Sequence, residues 1–365
     1  MGKIDELIKQ FCPDGVQKVP LGDVLDYEQP SKYIVKSTEY DNSYNIPVLT
    51  AGKGFLLGYT NEQAGVYAAS EENPTIIFDD FVTSFHWVDF PFKVKSSAMK
   101  MLTCKNKGNS FRFIYYAMCE IGFVAKEHSR HWISVYSKIE IPLPPLAVQK
   151  KIVEILDTFT RMIDNLQKEL EQRQKQFEYY RSKFFAYNED ECDWFSLPMI
   201  SENCDRKRKP IKGSKREKGI YPYYGASGIV DYVKDYILDG EYLLISEDGA
   251  NLVARNTPIA FSIEGKNWVN NHAHVVKFNS LNDQRFVEYY FNSIDLTPWI
   301  SGGAQPKLNQ ENLNKILIPY PSVERRNIIV DTLKSFEALI SNIKQEIELR
   351  QKQYEYYREK LLTFE

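Results

Sequence analysis

The sequence predicts an α+β protein, in which two mixed α/β domains are separated by two long helices that form an antiparallel coiled coil. The whole chain is predicted to be a pseudo-twofold tandem repeat. Three observations predict this. Residues 142–185 recur without a gap as residues 319–362. Both copies carry apolar residues at alternating spacings of four and three, the heptad pattern of a coiled coil. Each copy follows a segment of short β-like runs set between turns.

The repeated stretch is matched most closely in its second half, where residues 173–181 differ from residues 350–358 at one position in nine. Prolines open both copies and mark helix starts, because proline cannot continue a helix. The seam residues are Ile152, Leu156, Phe159, Ile163, Leu166, Leu170, Phe177, Tyr180 and Phe184, then Ile329, Leu333, Phe336, Ile340, Ile343, Ile347, Tyr354, Tyr357 and Leu361. The polar exception Arg173 recurs as Arg350.

A seam of this length predicts a helix about 50 Å long. Such a helix needs a partner along its narrow apolar stripe, and the nearest candidate is its own repeat. Antiparallel packing lets two matching helices, joined through different domains, close into a pseudo-twofold ring. The alternative is two unrelated core helices.

The chain divides into a first domain (1–141), a central long helix (142–187), a second domain (188–318) and a distal long helix (319–365). In the first domain, residues 46–50, 75–78, 132–136 and 138–142 are predicted strands, and residues 110–118 are a predicted helix. The second domain repeats this plan: residues 222–226 match 47–51, 286–290 match 112–116, and 315–319 match 138–142. Between these matched segments the two domains differ in sequence, which indicates two related domains that recognise two different targets.

Bulk properties exclude some classes of protein. A chain of 365 residues with 43% apolar residues can build more than one packed core, and its net charge of −3 gives no general attraction to nucleic acid. The five cysteines never form a Cys-x-x-Cys pair, and the first residues are charged. This composition indicates a reducing, cytoplasmic protein. No apolar run approaches the length of about 18 residues that a membrane span needs.

A basic cluster near the start of the second domain is a candidate phosphate-contacting arm. Residues 205–218 contain eight basic and two acidic residues, and Pro210 and Gly213 make the segment a loop. The candidate contacts are Arg206, Lys207, Arg208, Lys209, Lys212, Lys215 and Arg216. The alternative is a solvated charged loop.

Further stretches are candidates for reading bases. Asn270, Asn271 and His272 lie in one short span, and amide side chains can pair bidentately with adenine. Residues 302–307 form a glycine-rich turn that presents Gln305 and Lys307. In the alignment of the two copies, Lys307 falls on Arg130, beside His131, so both domains place a cation there. For each stretch, an ordinary hydrogen-bonded turn is the alternative.

Motifs for catalysis are missing from the sequence. It contains no Walker loop, no dinucleotide-binding glycine pattern, no nucleophile elbow, no His-Glu-x-x-His pair and no Asn-Pro-Pro-Tyr motif for adenine methylation. The histidine pairs His128/His131 and His272/His274 lack further ligands at metal-binding spacing, which argues against a metal site. The chain is predicted to be a binding protein.

In this layout the chain resembles the specificity subunit of Type I restriction–modification systems. The resemblance covers essentially the whole chain. It is carried by the opening residues 3–15, the Pro-Leu-Pro-Pro entry to the first long helix, the Arg-Gln-Lys-Gln repeats, and residues 305–309.

The resemblance implies a sequence-specific DNA-binding subunit without catalytic activity, whose globular parts are two target recognition domains. Its expected partners are double-stranded DNA, two methyltransferase subunits and restriction subunits. S-adenosylmethionine and ATP are expected on those partner chains, with no cofactor in this one. Tyr179 and Tyr356 lie one position off the seam and are candidate contacts to the methyltransferases; packing on the adjacent domain is the alternative. The competing interpretation of the whole chain is a coiled-coil scaffold whose two heads bind proteins or ligands.

Overall fold

The computed structural model describes residues 2–52, 54–125, 127–188, 190–303 and 305–364. The chain forms two compact units, Met1–Leu166 with Glu346–Glu365, and Gln167–Gln345. Each unit therefore contains one globular domain and parts of both long helices. Within the described ranges, no helix combines the length and the apolar composition needed to cross a bilayer.

The first half of the chain contains nine strands and four helices among its described residues. The strands are β1 (Lys18–Pro20), β2 (Leu25–Glu28), β3 (Ile46–Leu49), β4 (Leu56–Thr60), β5 (Thr75–Asp79), β6 (Phe85–Val88), β7 (Lys93–Val94), β8 (Met99–Cys104) and β9 (Glu140–Pro142). The helices are α1 (Gly2–Phe11), α2 (Leu21–Val24), α3 (Phe111–Cys119) and α4 (Leu146–Phe184). The predicted helix at residues 110–118 is confirmed, and the Ser110 hydroxyl caps it by accepting from the Phe113 N–H.

The second half adds ten strands and five helices in the part of the chain that the structure describes. The strands are β10 (Asp193–Ser196), β11 (Glu202–Asn203), β12 (Lys218–Gly225), β13 (Gly228–Val233), β14 (Leu238–Asp239), β15 (Tyr242–Ser246), β16 (Ala260–Ile263), β17 (Lys266–Val269), β18 (Ala273–Lys277) and β19 (Leu317–Tyr320). The helices are α5 (Leu197–Ile200), α6 (Asn251–Ala254), α7 (Leu281–Ser293), α8 (Gln310–Leu313) and α9 (Val323–Thr363).

The two domains share one topology. The antiparallel sheet β2-β8-β5-β6 of the first domain corresponds to β11-β18-β15-β16 of the second. A second sheet, β4-β3-β7, corresponds to β13-β12-β17, and in both the last pair is parallel. The second domain extends this sheet with β14. The pairs β1-β9 and β10-β19 join each domain's entry strand to the strand before its long helix. The predicted tandem repeat is therefore a repeat of topology.

The long helices run antiparallel. In the first unit Phe159 of α4 stacks on Tyr357 of α9, with ring centres 5.3 Å apart. In the second unit Tyr180 of α4 stacks on Phe336 of α9 at 5.5 Å. Phe159 precedes Tyr180 in one helix, whereas Phe336 precedes Tyr357 in the other, so the chain directions oppose. The two stacks are equivalent in the internal repeat, and they confirm the predicted antiparallel coiled coil.

The guanidinium groups of the two seam arginines, Arg173 and Arg350, form hydrogen bonds within their own helices. Arg350 Nε donates to Glu346 at 2.8 Å and Arg350 Nη1 donates to Gln353 at 2.8 Å. Arg173 contacts the repeat-equivalent residues, Glu169 at 3.3 Å and Gln176 at 3.0 Å. A polar side chain is tolerated at the seam because its donors find partners one turn away.

In each domain, an arginine and a tyrosine one helical turn apart hydrogen-bond to the long helix that follows. In the first unit Arg112 and Tyr116 of α3 both donate to Asp157 of α4, at 2.9 and 2.5 Å. In the second unit Arg285 and Tyr289 of α7 both donate to Glu337 of α9, at 2.8 and 2.7 Å. These contacts align Tyr116 with Tyr289. The sequence match of residues 112–116 with 286–290 was therefore wrong by one position.

One predicted strand is absent from the described structure. Residues 132–136 form a helical turn, in which the N–H groups of Val135 and Tyr136 both donate to the carbonyl oxygen of His131. Trp132 and Tyr136 are the buried members of the run and lie four residues apart. That spacing suits one face of a helical turn, whereas a strand would bury alternate residues.

Candidate nucleic-acid interface

Two of the predicted contact stretches meet in the second unit, around the residue that follows β15. The Glu247 N–H donates to the carbonyl oxygen of His272 at 2.9 Å, and the Leu308 N–H donates to the carbonyl oxygen of Glu247 at 2.7 Å. The span around His272 and the turn around Lys307 therefore lie on either side of one acidic residue.

The Glu247 carboxylate joins two of the predicted DNA-contacting cations. Arg208 Nη1 lies 2.5 Å from one carboxylate oxygen and Lys307 Nζ lies 3.1 Å from the other. Burial by itself would raise the pKa of Glu247. The hydrogen bond from Arg208, the charge of His274 and the hydrogen bond from Lys307 lower the pKa overall. Glu247 therefore stays ionised and ties the basic segment to the glycine-rich turn.

Arg208 is turned into the domain. Its side chain is 16% exposed, and Nη2 lies 3.2 Å from Asp205. Nη1 also donates to the carbonyl oxygen of Ala273 at 3.0 Å. A DNA phosphate would compete with two carboxylates for this guanidinium, so Arg208 serves as an anchor for the segment.

His274 is a buried member of the same network. Its Nε2 lies 2.8 Å from the carbonyl oxygen of Leu308, which can only accept, and its Nδ1 lies 2.7 Å from Asp205. Burial alone would raise the pKa of Asp205, but the hydrogen bond and charge of His274 lower it overall. The His274 ring therefore joins the Asp205 carboxylate to the backbone at Leu308. Within the described ranges, no three His, Cys, Asp or Glu side chains are grouped so as to hold a metal ion.

The structure separates the three residues of the predicted base-reading span. The Asn270 side chain is buried, and its Oδ1 accepts from the His272 N–H at 2.8 Å, which stabilises the turn. His272 is exposed, and its Nδ1 lies 2.9 Å from Asp248. Asn271 is exposed at the tip of the turn. Of the two amides, Asn271 is the one presented to solvent.

The glycine-rich turn closes on itself. Ser301 and Lys307 exchange backbone hydrogen bonds of 2.8 and 2.7 Å. Gly302 has a φ of +84°, and a Cβ there would lie 2.5 Å from the backbone oxygen of Gln305. Only glycine fits this position. The turn leaves the Gln305 side chain exposed.

Most cations of the basic segment are exposed. The segment forms two short 3-10 turns, Asp205–Lys207 and Gly213–Lys215, before β12 begins. Its exposed cations are Arg206, Lys207, Lys209, Lys212, Lys215 and Lys218. Arg216 is half-buried instead: it stacks over Tyr223 at 4.4 Å and lies 3.3 Å from Asp231. Arg208 and Arg216 thus fasten a segment whose other cations face solvent.

The first unit repeats the arrangement with different residues. The His131 N–H donates to the carbonyl oxygen of Asp80 at 2.8 Å, as Leu308 does to Glu247. The Asp80 carboxylate lies 3.0 Å from Lys100 Nζ, and both side chains are buried. Arg130 is exposed, whereas the His131 ring is buried. Arg130 is therefore the member of this pair that faces solvent.

Sequence reasoning missed the internal polar network of both domains, whose members are Asp80, Lys100, Asp205, Glu247 and His274. One signal was available: Lys100 interrupts an otherwise apolar strand and so needs a buried counter-charge. The partner's identity depends on strand pairing, which residue spacing does not reveal.

The predicted partner-contacting tyrosines face solvent on the long helices. Tyr179 is 60% exposed and Tyr356 is 57% exposed, while their neighbours Tyr180 and Tyr357 stack on aromatic rings of the opposing long helix. Their exposure disfavours the alternative in which they pack on the adjacent domain.

Comparisons with known proteins agree with the observed repeat. The profile of the family described as "Type I restriction modification DNA specificity domain" matches residues 13–173 and again residues 195–349. Among curated proteins, the Type I restriction enzyme EcoR124I/EcoR124II specificity subunit of Escherichia coli is 37% identical, covering 100% of this chain and 98% of that protein. A putative type I restriction enzyme specificity subunit of Haemophilus influenzae is 39% identical over 48% of this chain and 47% of its own.

Solved structures share the fold. A crystal structure of the S subunit of a Type I restriction–modification system from M. genitalium has a TM-score of 0.65 at 16% identity, covering 95% of this chain and 96% of that chain. A chain from work on complex assembly and conformational transition of the type I R-M system has a TM-score of 0.55 at 14% identity, covering 96% and 98%. Because the family profile matches both halves and the Escherichia coli relative is 37% identical over the whole chain, this chain belongs to the family of Type I restriction–modification specificity subunits.

Proposed function

We propose that the chain recognises a bipartite DNA target, with one domain reading each half-site. The observation that carries this is the repeated DNA specificity domain, whose two matches each take in one globular domain and most of the long helix that follows it. As a specificity subunit, the chain is distinct from the catalytic subunits of such a system.

The charge distribution supports DNA contact through the second domain. Six cations of the basic segment are exposed, and Asn271 and Gln305 lie at the tips of two turns that Glu247 holds together. Backbone phosphates attract the cations whatever the sequence, while amide groups can distinguish base edges. This division assigns affinity to the basic segment and sequence preference to the two turns.

The long helices are proposed to bind two methyltransferase subunits, with Tyr179 and Tyr356 among the contacts. Exposed aromatic residues are favoured at interfaces because they bury a large area at low entropic cost. S-adenosylmethionine and ATP are proposed to bind to the methyltransferase and restriction chains, respectively, and not to this chain.

Methylation mapping tests this function. DNA from cells that express the chain with its methyltransferase subunit should carry adenine methylation at one bipartite motif with an unread gap. The same cells lacking this chain are the control and should lose that motif. Identical methylation with and without the chain would contradict DNA recognition and favour a scaffold.

A further inference from the structure

A cavity of about 610 Å³ lies in the second unit, between α4, α7 and the segment after α6. Two arginines line it, Arg181 of α4 and Arg255 just after α6. The Nε of Arg181 is buried and finds no hydrogen-bond partner among the described residues. Another nitrogen of the same guanidinium binds Glu178, and the group stacks 5.4 Å from the Phe177 ring centre. Arg181 therefore lines this cavity and carries a guanidinium nitrogen that is shielded from solvent and unpaired among the described residues.

The internal repeat shows what such a donor binds. Arg358 occupies the equivalent position in α9, since residues 173–181 align with residues 350–358. In the first unit Arg358 Nε donates to the Glu120 carboxylate, at the carboxyl end of α3. The contacts of Arg112 and Tyr116 with α4 match those of Arg285 and Tyr289 with α9, and this match aligns α3 with α7. In that alignment Ser293 takes the position of Glu120. The first unit thus supplies an acid to its arginine at a position where the second unit has a serine.

Arg255 adds positive charge to the same cavity. Its backbone is left-handed, with a φ of 55°. Its side chain reaches across to the end of α7, where Nη1 donates to the Phe291 carbonyl oxygen at 3.3 Å and Nη2 donates to that of Ile294. Burial lowers the pKa of Arg255, Asp295 opposes this, and the like charge of Arg181 adds to it. A bound anion would relieve both effects.

We propose that this cavity binds a single carboxylate, supplied by an acidic side chain of a protein that assembles on the specificity subunit. The assignment to a protein partner rests on the proposed function. Four acidic residues also line the cavity, namely Glu178, Glu288, Glu337 and Asp295, and the first three already engage arginines. A single carboxylate is therefore favoured over a phosphate or DNA. The charges of these acids repel a polyanion, whereas one carboxylate matches what Glu120 provides in the first unit.

The carboxylate site is tested first with acetate as the probe. In the full chain carrying ¹⁵N-arginine, the Nε–Hε signal of Arg181 is assigned by its loss in R181K. Acetate should shift this signal saturably and leave the signal of Arg358, already engaged by Glu120, in place. S293E supplies an internal carboxylate and should abolish the acetate response, whereas S293A should keep it. A non-saturating shift, a response unchanged in S293E, or saturation by inorganic phosphate instead of acetate would overturn the proposal.

The source of the carboxylate is tested by assembly. R181K and S293E should each weaken binding of the methyltransferase subunit about tenfold, the loss expected when one charge-assisted hydrogen bond disappears from an interface. S293A is the matched control and should assemble normally. Wild-type affinity in both R181K and S293E would overturn the assignment to a partner side chain. DNA binding by the chain alone is measured in parallel. Its absence in the wild type would count against the proposed function and leave the acetate result intact.

Discussion

At the scale of single residues, the charges of the candidate interface divide into internal ties and exposed contacts. Glu247 holds Arg208 and Lys307, and Asp80 holds Lys100. A buried charge is costly unless it is paired and hydrogen-bonded, so the buried Asp80 and Lys100 owe their positions to each other. The exposed lysines of the basic segment are not constrained in this way and are available to phosphates.

The ion pairs of Glu247 with Arg208 and Lys307 are expected to stabilise the second domain. E247Q should destabilise the second domain by about 2 kcal/mol, because Arg208 and Lys307 both lose a charged acceptor. The measurement is thermal unfolding of the full chain near neutral pH. E241Q, at an exposed carboxylate of the same domain, is the control and should change stability by less than about 0.5 kcal/mol.

The same carboxylates are expected to make the free energy of unfolding of the second domain depend on pH. The folded-state pKa values of Glu247 and Asp205 are lowered, so both groups favour the folded state above their ordinary values of 4.5 and 3.8. That contribution is lost as the pH falls through the lowered values. We expect the acid-induced loss of stability to be smaller in E247Q than in the wild type. Parallel stability–pH curves would show that Glu247 does not contribute.

The exposed lysines should control affinity for DNA of any sequence. Changing Lys207, Lys209, Lys212 and Lys215 to glutamine should weaken binding to all duplexes. The slope of log K against log salt should become shallower by about 0.9 for each phosphate that the variant no longer neutralises. Glutamine at Lys150, Lys168, Lys344 and Lys352, four exposed lysines of the long helices, is the control. A wild-type salt slope in the first variant would mean that the segment is only a solvated loop.

The turn residues should control sequence preference. N271A or Q305A should relax the preference at one half of the target by about 1–3 kcal/mol against wrong bases, and R130A should affect only the other half. The methylated motif of each variant, determined by mapping, checks this. Loss of preference in both halves from one substitution would contradict one domain per half-site.

At the scale of elements, the long helices use paired tyrosines in two ways. Tyr180 and Tyr357 stack on aromatic rings of the opposing helix, while Tyr179 and Tyr356 point away from it into solvent. The same division in both copies follows from helix geometry, because adjacent residues point about 100° apart. One residue of each pair thus joins the two helices, and the other is exposed.

The exposed tyrosines should therefore matter for assembly rather than for folding. Y179K combined with Y356K should reduce co-purification of the methyltransferase subunit at least tenfold, since buried aromatic anchors dominate interface energies. The unfolding temperature should stay within about a degree or two, because exposed substitutions rarely change stability much. Y232K, at an exposed tyrosine of the second domain, is the matched control. Undiminished assembly of the double variant would contradict the role.

At the scale of the whole molecule, we expect the helices to act as a ruler between half-sites. Adding one heptad to both helices keeps the seam in phase and lengthens each by about 10 Å. At about 3.4 Å per base pair, the unread gap should grow by about three base pairs while both half-sites keep their sequences. Three base pairs also rotate one half-site by about a third of a turn, which weakens binding if the domains cannot follow. Methylated motifs before and after the insertion measure the gap, and an unchanged gap at full activity would refute the ruler.

Residue spacing alone was enough to establish the repeat, the two long helices and their pairing. A heptad seam is a local pattern written in the order of residues, and prolines mark where each helix can begin. The antiparallel direction followed as well, because matching helices joined through different domains close most simply that way. The family resemblance drew on the same local signals.

Which charged residues face solvent became known only from the folded domains. Arg208, Arg216 and His131 looked equivalent to their exposed neighbours in the sequence, yet contacts distant along the chain turn them inward. Residues 132–136 formed a turn for the same reason, since packing of Trp132 and Tyr136 overrode the local preference for a strand. Burial and ion pairing depend on which strands meet, and that information belongs to the folded domain rather than to any short stretch of residues.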